Sequence, residues 1–228
     1  MTESTESAPP ATALLLGATG LVGGHVLDQL LADPAYRRVT VLGRRPVARM
    51  DPKLDQRTAD FDRLGEHAIS FAVDDVFCCL GTTIKAAGSQ EAFRRVDHDY
   101  VVESARLAAE HGARRYLLVT AAGANARSRI FYNRVKGEAE DAVRALPLES
   151  VVILRPSLLL GDRAEERRFE ALAQRMMPAL DRVMVGPLRR YRPVEAATVA
   201  RAMVRLARAQ PRGVRVVESD EIQRMGGA

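Results

Sequence analysis

One stretch restricts this chain more than any other: Leu14-Leu15-Leu16-Gly17-Ala18-Thr19-Gly20-Leu21-Val22-Gly23-Gly24. It reads as a short buried strand, a glycine turn, and the first turn of a helix that continues through His25, Val26 and Leu30. Gly17 lets the chain turn off the strand, and Gly20, lacking a Cβ, lets a pyrophosphate approach the backbone. Gly23 lets the helix pack on the sheet. The helix start aims free N–H groups and the positive end of its dipole at phosphate. Thr19, Leu21 and Val22 complete the expected cradle. The competing reading is a tight strand-to-helix turn with no ligand.

At 228 residues and 47% hydrophobic content, the chain has room for one α/β domain with a modest extension. No apolar run nears the roughly 18 residues of a membrane span. The N-terminus carries Glu3 and Glu6 with no basic segment, so a cytoplasmic protein is expected, with residues 1–11 as a disordered tail. The net charge of +5 comes from arginines spread among acidic neighbours, with only three lysines, Lys53, Lys85 and Lys136. No nucleic-acid motif accompanies them. Cys78 and Cys79 are adjacent in an apolar run and point to opposite faces of a strand, which argues against a disulfide, and two ligands without a histidine cluster make no zinc site. They read as core.

A second strand, Val39 to Gly43, is followed at once by Arg44 and Arg45. An acidic side chain here would bind the ribose 2′-hydroxyl, whereas arginine suits a 2′-phosphate, so the position predicts NADP(H) over NAD(H). Asp60 and Phe61 close a weaker third strand and could flank an adenine ring. The fourth strand, Val73 to Leu80, runs into Gly81, Thr82 and Thr83, and Leu80 through Thr83 form the loop expected along the cofactor ribose. Val96, Tyr100, Val101, Ser104, Leu107 and Ala108 repeat at helical spacing as a buried face. Tyr116 to Thr120 and Val151 to Leu154 are the fifth and sixth strands, and Arg155, Pro156 and Ser157 after the sixth are further expected cofactor contacts. Strands alternating with helical patterns predict a doubly wound parallel sheet of the Rossmann type. Residues 157–228, with helices at Phe169–Met177 and Glu195–Ala207 and a short edge strand at Val214–Val217, are expected to add a small lid or substrate region to a single domain spanning residues 12–228.

The chemistry centres on Tyr132 and Lys136, four apart at the start of a helix and so on one face. A free tyrosine keeps its proton to about pH 10. An ammonium roughly 4–6 Å away favours the phenolate and makes the group a better-matched acid or base while a nicotinamide exchanges hydride. The lysine can also hold the nicotinamide ribose. Both residues therefore count as catalytic and cofactor-binding candidates; a helix face with a long surface lysine is the alternative.

The glycine turn together with Tyr-x-x-x-Lys resembles the short-chain dehydrogenase/reductase superfamily, its atypical and extended branches especially. Phe77 to Thr83, Val96 to Tyr100, Phe131 to Glu138, and Arg155-Pro156-Ser157 with Gly161-Asp162-Arg163 resemble a narrower group, the Tat-interacting-protein oxidoreductase-like family, and the likeness covers roughly residues 12 to 220. The resemblance implies an NADP(H)-binding fold and a Ser/Thr, Tyr, Lys catalytic set. Thr120 is then the candidate for polarising a substrate oxygen, because the usual serine-rich strand end is here Thr120-Ala121-Ala122-Gly123. Ser128 is the fallback. Asp97 stands where extended members often carry an asparagine and is given no catalytic role. The implied activity is reduction of a carbonyl on a small molecule by an NADP(H)-dependent oxidoreductase. The alternative is a non-catalytic or weakly catalytic NADP(H)-binding redox sensor. Monomer and homodimer are both open.

Overall fold

The computed structural model describes residues 10–160 and 192–227. Nine strands fall within them: β1 (Ala11–Leu16), β2 (Tyr36–Gly43), β3 (Leu54–Thr58), β4 (Asp75–Cys78), β5 (Arg115–Val119), β6 (Ser150–Arg155), β7 (Leu159–Leu160), β8 (Val194–Glu195) and β9 (Gly213–Glu218). Seven of these form one sheet in the order β3-β2-β1-β4-β5-β6-β9, with every pairing parallel. β7 and β8 pair separately, also in parallel. The chain winds from β1 outward to β3, then restarts at β4 on the other side of β1. That reversal opens a crevice at the carboxyl ends of β1 and β4, where open α/β sheets bind their ligands.

The helices are α1 (Leu21–Ala32), α2 (Ile84–Ala87), α3 (Gln90–Arg94), α4 (Tyr100–Glu110), α5 (Phe131–Arg144), α6 (Ala196–Ala209) and α7 (Ser219–Gly226). Alternation along each strand sorts the core into two layers. Leu15, Val41, Phe77, Leu117 and Val152 face Val26 and Leu30 of α1 and Val199, Met203 and Leu206 of α6. Leu14, Leu16, Cys78, Leu118 and Ile153 face Val101 and Ala105 of α4 and Ala139 and Val143 of α5. Helices on both faces of a parallel sheet make the fold a doubly wound α/β sheet of the Rossmann type. Cys78 lies in the second layer, while Cys79 packs against the first with its sulfur 3.9 Å from that of Met203. Both thiols are free.

Three details depart from the sequence reading. β3 ends at Thr58, short of Asp60-Phe61, because Asp60 caps a following 3₁₀ stretch (Phe61–Phe71) by accepting the Asp62 N–H at 3.0 Å. β4 is shorter than the apolar run suggests: Asp74 turns its carboxylate to the Thr12 N–H and hydroxyl, at 2.8 and 2.9 Å, just before the strand begins. The helical pattern from Val96 is interrupted by a π turn at Arg95–Asp99 between α3 and α4. From residue 192 onward, α6 packs on α1 and β9 joins the main sheet beside β6. The helix expected at Phe169–Met177 and the rest of residues 161–191 of the lid region lie outside the described residues.

Candidate functional site

At the end of β1 the chain turns through Gly17, whose φ is +81°, a conformation that favours glycine. A Cβ there would stand 2.4 Å from the Cys79 carbonyl oxygen at the end of β4. A Cβ on Gly23 would stand 2.1 Å from the Gly17 carbonyl oxygen, so α1 can meet the turn only because that residue has no side chain. Gly20 is the N-cap of α1 and no side chain caps the helix, which leaves its first N–H groups to a ligand. Thr19 is exposed, Leu21 is half-buried, and Val22 turns into the core. This cradle fits a dinucleotide pyrophosphate. Replacing Gly23 by Ala is expected to weaken NADPH binding about a hundredfold, roughly 3 kcal/mol, in a fluorescence titration, with circular dichroism checking that the fold is kept.

Beside the cradle lies a cavity of about 230 Å³ lined by Ala18, Thr19, Leu27, Asp28, Val47 and Arg49 among others. Arg49 spans it to Asp28 on α1, with Nε donating to Oδ1 at 2.9 Å. Arg44 and Arg45 follow β2 at this edge, both exposed. Neither makes a hydrogen bond or ion pair among the described residues. Of the pair expected to flank an adenine, Asp60 is exposed, whereas the Phe61 ring is core, 6% exposed and packed on Tyr100 with ring centroids 5.5 Å apart. Phe61 therefore offers no face to a ligand.

Tyr132 and Lys136 both lie in the first turns of α5. The Tyr132 ring is half-buried against Phe93 of α3, with centroids 5.4 Å apart. Its hydroxyl has no hydrogen-bond partner among the described residues. Lys136 is buried, with its ammonium nitrogen 2.7 Å from Asp97 Oδ1. Burial works to lower the lysine's pKa, but Asp97 and then Tyr132 outweigh it, and Lys136 ends above the ordinary lysine value. Burial pushes the Asp97 carboxyl above its usual range, against the pull of Lys136 and of the Thr82 N–H. That N–H donates to Asp97 Oδ2 at 3.0 Å, so the loop after β4 is bonded to the residue that holds the lysine. In this loop Leu80 and Thr82 are half-buried, Gly81 and Thr83 exposed. Thr83 caps α2 by accepting the Ala86 N–H at 3.1 Å.

The remaining expected residues are drawn elsewhere. Thr120 is buried and its hydroxyl donates to Glu140 Oε1 at 2.7 Å. A hydroxyl has one proton to give, so this one is not available to polarise a substrate oxygen. Ser128 accepts the Ile130 N–H at 3.1 Å ahead of α5. Arg155 donates from Nε to Glu140 Oε1 at 2.9 Å and from Nη1 to Glu218 at 3.0 Å, a paired role in place of the expected cofactor contact. Pro156 is buried and its carbonyl accepts the Ala122 N–H at 2.8 Å. The Ser157 hydroxyl donates to the Arg192 carbonyl and sits 3.1 Å from that of Ser219. Glu140, fully buried, is the hub that the sequence reading missed. Its signal was its position eight residues after Tyr132 and four after Lys136, on the inward side of one helix.

The chain matches, over residues 17–210, the model of a family described as NAD(P)H-binding. It is 38% identical over 173 residues to the protein HTATIP2 of Rattus norvegicus, covering 74% of this chain and 71% of that one. To the protein fmp52, mitochondrial, of Aspergillus clavatus it is 36% identical over 217 residues, 92% of this chain and 90% of the relative. Among solved structures it resembles MoeE5 in complex with UDP-glucose and NAD, with a TM-score of 0.67 at 17% identity over 95% of this chain and 81% of that one. The Bordetella bronchiseptica enzyme WbmH in complex with NAD+ gives a TM-score of 0.69 at 15% identity, covering 92% and 75%. At such identities the likeness is one of fold. The mitochondrial location in the fungal name is that protein's own. Among the described residues, no helix is long and apolar enough to cross a membrane.

Proposed function

The chain belongs to the NAD(P)H-binding family that includes HTATIP2 and the fungal fmp52 proteins, an atypical branch of the short-chain dehydrogenase/reductases, and from that footing we propose that it is an NADP(H)-dependent oxidoreductase reducing a carbonyl of a small molecule. The observation that carries the reading is the buried Lys136 ammonium, set beside the loop after β4 and in electrostatic range of the Tyr132 phenol. The glycine turn and the start of α1 would hold the pyrophosphate, Arg44 and Arg45 the 2′-phosphate, and Lys136 with the Gly81 loop the nicotinamide end. NADP(H), when bound, supplies the hydride. Tyr132 gives the proton to the substrate oxygen, and its hydroxyl is free of competing protein bonds among the described residues. Lys136 stabilises the phenolate left behind. Thr120 has no part in this scheme, since its proton is given to Glu140.

That commitment of Thr120 favours a second reading, in which the protein binds NADP(H) as a sensor with little or no turnover. NADPH oxidation at 340 nm against a panel of aldehydes and ketones separates the two. Carbonyl-dependent oxidation supports the enzyme; tight NADPH binding with none supports the sensor. Coenzyme preference has its own test. Charge-assisted bonds to a phosphate contribute about 1.5–3 kcal/mol, so changing Arg44 and Arg45 together to Asp should raise the NADPH Kd roughly ten- to a hundredfold and spare NADH. Equal effects on both coenzymes would remove the arginines from 2′-phosphate recognition.

A further inference from the structure

Six large apolar side chains are exposed among the described residues, and three of them, Ile84, Ile130 and Leu158, follow β4, β5 and β6. Those strands are neighbours in the parallel sheet, so their loops leave its carboxyl end side by side. The Ala122 N–H donates to the Pro156 carbonyl at 2.8 Å and ties the second loop to the third. Ile84 opens α2 directly after the Leu80–Thr83 loop, and α2 packs on α3. Phe93 of α3 in turn carries the rings of Phe131 and Tyr132, at centroid distances of 5.9 and 5.4 Å. Ile130 is the N-cap of α5, two residues before Tyr132, and is 62% exposed; Leu158 is 67% exposed. Single apolar residues on a surface need no explanation. Three on adjoining loops, beside a phenol with no protein partner among the described residues, mark this end of the sheet as a contact for something apolar. The same loops are one-sided in charge: residues 79–90, 120–137 and 155–160 contain no aspartate or glutamate. Arg134 is spent locally, its Nη1 donating to the Ser128 carbonyl at 3.0 Å and its guanidinium lying over the Phe131 ring. Arg127 and Arg129 are exposed, and neither side chain makes an ion pair or hydrogen bond among the described residues. A guanidinium offers a planar fork that suits a carboxylate or phosphate.

We propose that the substrate is an amphiphilic carbonyl compound, its apolar chain laid on Ile84, Ile130 and Leu158 and its acidic group, carboxylate or phosphate, held by Arg127 and Arg129. The substrate class rests on the reductase reading, but binding tests it without turnover. Titration calorimetry of the full chain, with every ligand below its micellar concentration, compares dodecanoate, dodecyl phosphate, butanoate and dodecyltrimethylammonium. At least one of the dodecyl acids is expected to bind about tenfold or more tightly than butanoate, which lacks the chain, and than the ammonium, which reverses the charge. Changing Arg127 and Arg129 together to Glu should erase the head-group preference, and Ile130→Asp with Leu158→Asp should erase the chain-length preference. Ile69→Asp, at an exposed apolar position ahead of β4, should retain both. All five positions are exposed, so the fold is expected to survive each change. Equal binding of the dodecyl acids and the ammonium overturns the proposal, as do preferences that persist in both double variants. Binding to phosphatidylserine vesicles with none to the monomeric acids overturns it too, and would make the patch a membrane contact. Arginine-dependent dodecanoate binding without carbonyl-dependent NADPH oxidation sinks the reductase and leaves the amphiphile site standing. Turnover of butanal, octanal and octanal bearing a terminal carboxylate at equal kcat/KM keeps the reductase and sinks the amphiphile.

Discussion

Tyr132→Phe is expected to leave NADPH binding within about twofold and to lower carbonyl-dependent NADPH oxidation by roughly 10²–10⁴-fold, the usual worth of a positioned acid. The contrast between the two readouts follows from how the side chain is held. Its ring packs on Phe93, a contact that phenylalanine keeps. The lost hydroxyl has no protein partner among the described residues, so none of their hydrogen bonds is broken by its removal. A fall in turnover with unchanged affinity is the mark of an interaction used only in the transition state. Equal turnover in both proteins would end the acid role of Tyr132. Because Thr120 is bonded to Glu140, no second hydroxyl on that strand end should rescue the variant, and adding Thr120→Val should cost little more in rate.

Asp75→Ala is expected to be the most damaging change to the fold itself. Asp75 opens β4, and its carboxylate accepts the Tyr36 hydroxyl at 2.7 Å and pairs with the Arg115 guanidinium. The arginine and aspartate side chains are 6% and 1% exposed. Burial pushes the Asp75 carboxyl above its ordinary range, although bonds from Arg115 and Tyr36 oppose the shift. Removing one partner strands the other: a buried guanidinium without its carboxylate costs about 3–5 kcal/mol. At about 2–4 °C per kcal/mol for a chain of this size, the midpoint of thermal unfolding should drop by roughly 6–20 °C. The trio sits where β2, β4 and β5 begin, at the end of the sheet away from the glycine turn, so NADPH affinity measured well below the midpoint should hold. A loss under about 1 kcal/mol would put the pair in the class of weak, solvent-screened contacts.

What the sequence made legible was local. The Gly17–Gly23 turn, the alternation that sends Leu14 and Leu15 to opposite layers, and the four-residue step from Tyr132 to Lys136 all follow from periods of the backbone. The added edge strand at Val214–Val217 was also legible, from its length and apolar character. Asp97 was not, because a π turn shifts the helical phase. The buried positions Phe93, Asp97, Val101 and Ala105 advance by four throughout, whereas a regular helix would have brought Val96 and Tyr100 inward, and these are only half-buried. The protein partners of Thr120 and Arg155 were hidden for another reason. Both stand at strand ends, where partners come from elements distant in sequence, and Glu140 and Glu218 claimed them before any ligand could.

The neighbouring of β1 and β4 has one more outcome. These strands are adjacent in the sheet, yet 58 residues lie between the end of one and the start of the other. The glycine turn, Arg44 and Arg45 thus come from the chain before the seam, and the phenol, amine and carboxylate from the chain after it. Distant sites without shared partners contribute independently. Exchanging the arginines and exchanging the proton donor should therefore be separable alterations: a lineage could change its coenzyme while retaining its reaction, or abandon the reaction and go on binding the coenzyme.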